Sequence, residues 1–175
     1  MCTLGKIHIT NENWKGAVED FEAVRTLRIC QISQESSYCS RESDAFISNL
    51  RTMSIGSLST AAAQVQYLEA SAMLILSYCM LHHIEEGLVT ADQYIALLKR
   101  GRIQLSGTIS SEFWLSLGYY HQAICFIESK MALTDYPKEI CFSLSNSLSF
   151  GAESVPNNTP NHLQSVQILL AQYCE

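Results

Sequence analysis

Phe113-Trp114-Leu115-Ser116-Leu117-Gly118-Tyr119-Tyr120-His121-Gln122-Ala123-Ile124 is the stretch whose reading decides the fold. Bulky residues lead into Leu-Gly, then aromatics, then Ala, the order expected at the inner turn of a helical hairpin. Small residues at a helix contact let two antiparallel helices approach, and the aromatics fill the groove beside them. Such a pattern builds a binding scaffold and carries no chemistry. The expected fold is all-α, with antiparallel helical hairpins in an array or irregular bundle of about six or seven helices.

Outward from that stretch, helical periodicity continues in both directions. Upstream, Asn13 can cap a helix from Trp14 to about Ile32, with Trp14, Ala17, Val18, Phe21, Val24 and Leu27 at i, i+3, i+4 spacing. A shorter helix is expected from about Glu42 to Met53. The third starts near Thr60 and runs to about Glu86, where Gly87 can supply a left-handed terminating residue. It is apolar on most sides, as a central helix of a bundle would be. Thr90-Ala91-Asp92-Gln93 reads as a capping box opening the fourth helix, which Lys99-Arg100-Gly101 closes.

Ser110 caps the next helix, with Ile109 and Trp114 placed for a hydrophobic staple; the pattern persists to about Thr134 and can turn at Gly118. Pro137 suits a first helical turn. Residues Ile140 to Phe150 fit both strand alternation and one helix face, and the helical neighbours favour helix. Gly151 to Asn161 reads as a linker, and Asn161-x-x-Gln164 opens a last amphipathic helix through Leu163, Val166, Leu170 and Tyr173. The expected organisation is an N-terminal helical pair over 1–58, a helical core over 59–150, and a linker with a C-terminal helix over 151–175.

Composition narrows the function classes. A formal charge of −6 argues against a nucleic-acid surface, which needs clustered Lys and Arg. The one basic cluster, Lys99, Arg100 and Arg102, sits at an expected helix C-terminus, where cations are favourable anyway. The longest apolar run, Ala72 to Leu81, falls short of the roughly 18 residues a membrane span needs. Seven cysteines are scattered without a C-x-x-C, so they read as reduced thiols in a cytoplasmic protein. The first ten residues lack the apolar core of an export signal.

Leu117-Gly118-x-Tyr120-x-x-Ala123-Ile124, with Pro137 beyond, resembles the turn and second helix of a tetratricopeptide repeat. Gly87 and Gly118 lie 31 residues apart, near the repeat interval of about 34. A competing register starts a first helix at Trp114-x-x-Leu117-Gly118, but it puts His121 where tyrosine is expected and Lys130 where alanine is. Glu112 to Tyr120, Ile127-Glu128-Ser129 and Pro137 are also similar to tetratricopeptide-like chaperones of bacterial type III secretion, in particular those guarding the needle subunit. That likeness spans about residues 68 to 148. It implies a groove that holds a partner's amphipathic helix, bordered here by Trp114, Tyr119, Tyr120 and Phe126.

Chemistry outside that reading is sparse. Cys79 with His83, and His121 with Cys125, are i, i+4 pairs; if the two helices faced each other they would make a tetrahedral zinc set, the alternative reading as a metal-binding sensor or enzyme. No G-x-S-x-G elbow, P-loop, dinucleotide fingerprint or H-E-x-x-H occurs, so neither catalytic residues nor a cofactor are expected. The C-terminal helix could swap into a neighbour and make a homo-oligomer.

Overall fold

The computed structural model describes residues 2–35, 61–100, 110–129, 137–154 and 161–174. Among them are seven helices and no strand: α1 Cys2–Thr10, α2 Trp14–Glu35, α3 Ala61–Met80, α4 Ile84–Arg100, α5 Ser111–Glu128, α6 Pro137–Ser154 and α7 Asn161–Tyr173. The all-α expectation holds, and the Ile140–Phe150 stretch is helix. The helix expected over Glu42 to Met53 and the Ile109 staple lie outside the described residues.

Packing follows a simple order. Each helix meets its successor, and the odd helices also meet one another, α1 on α3, α3 on α5 and α5 on α7. The reason lies in their side chains. Helix α3 is buried on two faces: Leu68, Ala72, Ile75 and Cys79 meet α4 and α5, while Ala70 and Leu74 meet Ala17, Phe21 and Val24 of α2. Helix α5 likewise offers Trp114, Leu115 and Tyr119 to α3 and α4, and Ala123 to α6 and α7. A helix apolar on two sides belongs inside, whereas α4 carries a single buried stripe through Ala91, Tyr94, Ile95 and Leu98.

Several boundaries differ from expectation. The turn between α3 and α4 lies at Leu81-His82-His83, so Gly87 and the Thr90–Gln93 box are inside α4. His82 adopts the left-handed conformation at φ 58°, and the His83 amide donates to the Tyr78 carbonyl at 2.9 Å, closing α3 without glycine. Glu85 and Glu86 then stand in the first turn of α4, where the helix dipole favours them. The α1–α2 turn repeats this geometry, with Glu12 at φ 57° and the Asn13 amide on the His8 carbonyl at 2.8 Å. Asn13 caps α2 as expected, its Oδ1 accepting from the Gly16 amide at 3.2 Å.

Helix α1 carries no periodic signal that marks it. It is held where Phe21 lies against Gly5, so close that a Cβ there would sit 2.7 Å from the ring, and by Lys6 to Glu69 at 2.5 Å. Among the described residues, α1 and α2 cover α3.

Helix α5 runs unbroken through Gly118, which overturns the expected turn there. Gly118 is a contact point instead: a Cβ would meet the Tyr94 ring at 2.6 Å. Gly87 serves the same purpose against Cys125 Sγ, 3.0 Å from its would-be Cβ. Glycine in both places is selected by close approach between helices and not by chain reversal.

Candidate protein-binding site

Ser110 begins α5, its Oγ accepting from the Phe113 amide at 3.4 Å. The helix then distributes the four aromatic residues expected to border a groove very differently. Trp114 and Tyr119 are core. The Tyr94 hydroxyl donates to the Trp114 carbonyl at 3.1 Å, and burial pushes that phenol well above its ordinary range. Tyr119 stacks on Phe150 at 5.9 Å and meets the edge of Phe142 at 6.3 Å, with Lys99 Nζ 5.3 Å from its ring centre. Tyr120 is half-buried beside His121 and His162. Phe126 lines an opening.

That opening lies between α5 and α6. It is a cleft of about 390 Å³ lined by Gln122, Phe126, Lys138, Glu139, Phe142 and Ser143. Phe142 is 61% exposed, a large apolar ring left to solvent. The floor is polar and internally satisfied. Ser143 Oγ donates to Gln122 Oε1 at 2.9 Å, and Gln122 Nε2 donates to Asp92 Oδ1 at 2.7 Å. Partial burial raises the Asp92 carboxyl, while the Gln122 bond opposes that shift. The arrangement combines two aromatic walls, an amide floor and a lysine and glutamate side by side on the α6 wall. Its aromatic walls suit apolar side chains of a larger partner, with Lys138 and Glu139 offering charge at the edge.

A second surface lies across α5 and α6 under α7. Ser116 Oγ donates to the Ser147 carbonyl at 2.7 Å, and Ser147 Oγ donates to the Ser116 carbonyl at 2.8 Å. His162 Nε2 is 2.7 Å from Ser116 Oγ; with the serine proton directed at the carbonyl, the imidazole is the donor. Leu163 fills the space over Gly151, where a Cβ would come within 2.4 Å of it, and Val166 is buried with Ile140 and Leu144. The far end is joined covalently by a Cys141–Cys174 disulfide, with Cα atoms 5.6 Å apart. This corrects the expectation that every cysteine is a free thiol. Spacing along the chain does not pair distant cysteines, and only antiparallel packing of α6 and α7 brings these two together. The inference to a cytoplasmic setting loses that support. Among the described residues no helix is long and apolar enough to cross a membrane.

The Ser116–His162 pair has the composition of a nucleophile and base but not the access. Ser116 is fully buried, so no substrate reaches its Oγ. Both histidines nearby are held neutral: burial lowers His162, and it lowers His121 to about 4, despite a bond to the Ala72 backbone that favours the charged ring. His121 Nδ1 has no hydrogen-bond partner among the described residues.

The zinc alternative does not assemble. Cys79 and Cys125 do meet in the core, sharing a hydrogen bond that lowers the Cys79 thiol and raises that of Cys125. His83 is exposed and stacked on Tyr78 at 6.4 Å, while His121 faces the Ala72 backbone. Among the described residues no three His, Cys, Asp or Glu side chains could hold a metal ion.

Sequence reasoning missed Phe142, which belonged to a segment of undecided periodicity, and Ser116, Ser147 and His162, whose residue types are common in loops. Comparison with known protein families, curated proteins and solved structures finds no match for this chain.

Proposed function

We propose that the protein is a protein-binding helical array whose α5–α6 cleft receives an amphipathic helix of a partner. The observation that carries this reading is the exposed Phe142 ring, which with Phe126 lines an open cleft within the roughly 300–1,000 Å³ range of binding pockets. Amphipathic helices dock through apolar anchors at i, i+3, i+4 and i+7, and a cleft with aromatic walls accepts one or two of these. Further support comes from the layering of odd on odd helices and from Trp114, Leu117 and Gly118 standing on the opening turns of a hairpin's first helix, as in the competing tetratricopeptide register.

The finer reading is a cytoplasmic chaperone for a secreted or self-assembling subunit, as in type III secretion. Its mechanism is sequestration: covering the client's apolar helix blocks premature polymerisation. A photo-crosslinking residue in place of Phe142, expressed in the full chain in its native host, tests both. The expected result is a crosslink to the apolar face of a helical segment in one partner, lost in the Phe126→Asp background. Recovery of no crosslinked partner while the protein stays folded would remove the proposal.

A further inference from the structure

We infer that the Cys141–Cys174 disulfide is a redox latch on α7, and that the α5–α6 surface beneath α7 accepts the α7 of a second copy once the latch is reduced. This stands apart from the client-binding reading, because the occupant is already visible on the chain. Helix α7 meets the rest of the described protein through α6 and the edge of α5. Its anchors Leu163 and Val166, with His162 on Ser116, define what the surface accepts: an amphipathic helix carrying one polar donor at its start. A seat and its occupant on the same chain make any exchange reciprocal, so two copies close on each other as a two-fold dimer.

The position of the disulfide decides when exchange can occur. It ties the residue that follows α7 to the first turns of α6, 33 residues apart in sequence, so the oxidised helix cannot leave its seat. Both sulfurs belong to half-buried residues, which a small dithiol can reach, whereas Cys79 and Cys125 are sealed in the core. In the reduction, a thiolate of the dithiol attacks one sulfur and the Cys141–Cys174 bond breaks. The mixed disulfide is then resolved by the reagent's second thiol. The protein gains two thiols, two electrons and two protons, and the reagent becomes a cyclic disulfide.

Two tagged forms of the full chain differing in mass, with Cys2→Ser, Cys30→Ser and Cys39→Ser to leave one reachable pair, provide the test. They are mixed, reduced with a dithiol, concentrated and re-oxidised with glutathione disulfide, which leaves as two thiols. The expected product is a heterodimer stable in detergent, released by reductant, with the Cys141 peptide of one copy bonded to the Cys174 peptide of the other. A mixture kept oxidised throughout yields none. Val166→Asp, which spoils the anchor, reduces the heterodimer at least tenfold. Amide exchange over residues 161–173 quickens at least tenfold on reduction, while α3 stays protected. Recovery of only the intramolecular bridge at every concentration, dimers joined through Cys79 or Cys125, a yield indifferent to Val166→Asp, or equal exchange in both redox states would each overturn the inference.

Discussion

Between α3 and α5 the chain meets itself through Leu68, Ala72, Ile75, Cys79 and Cys125, every one fully buried, with Gly87 and Gly118 admitting a neighbour's side chain. Between α5, α6 and α7 it meets through serine hydroxyls on carbonyls, a histidine, two apolar anchors and a disulfide. Both seams bring helices close, but they respond to different things. Apolar contact depends on no proton or electron, so the first seam answers to pH only through His121, buried against the Ala72 backbone. The second also relies on hydrogen bonds to a neutral imidazole, and its reducible bridge makes it alone conditional on redox state.

The comparison is broken most severely by damaging the permanent seam. Ile75→Ala leaves a cavity where α3 meets α4 and α5, and a loss of about 2–5 kcal/mol is expected from buried isoleucine truncation. Urea unfolding would show it as a lower midpoint of one cooperative transition. A midpoint unchanged would mean that this seam does not hold the fold.

Acid comes next. His121 titrates in the folded protein near 4 but near 6.5 when unfolded, so its neutral form contributes stability that is complete above about 6.5. As pH falls from there towards 4 the unfolded chain binds the proton first, and stability drops by roughly 3 kcal/mol. Stability measured from pH 7 to 4 should show that slope, and His121→Gln should flatten it.

Ser116→Ala sharpens the distinction further. It removes the donor to the Ser147 carbonyl and the partner of His162, a loss of about 1–3 kcal/mol for a buried polar group left unpaired. The expected signature in amide exchange is lost protection over α7 with α3 unchanged; uniform loss would show that the two seams act as one. The smallest effect is at the cleft. Phe142→Asp alters stability by no more than about 0.5 kcal/mol, since the ring is mostly exposed, yet should abolish partner crosslinking at Phe126.

How much of this was legible from residue order depends on which interaction is at stake. The cap at Ser110, the cap at Asn13 and the two-faced burial of α3 follow from spacing, because each is satisfied within one turn or one helix. The glycines at 87 and 118 were recognised as special, but their reason was misplaced. A glycine needed for chain reversal and one needed for close approach look alike in a sequence, and only Tyr94 and Cys125 standing against them separate the two. The chain reversal itself fell on His82, a residue with no turn signature.

An apolar stripe and a capping side chain act over four residues, so the all-helical class and the inner position of α3 were settled by residue order alone. Which aromatic is core and which borders a cleft, that Cys141 finds Cys174, and that Ser116 meets His162 were settled only by packing. Those pairs are separated by 33 and 46 positions along the chain, and their chemistry exists only once α5, α6 and α7 lie side by side.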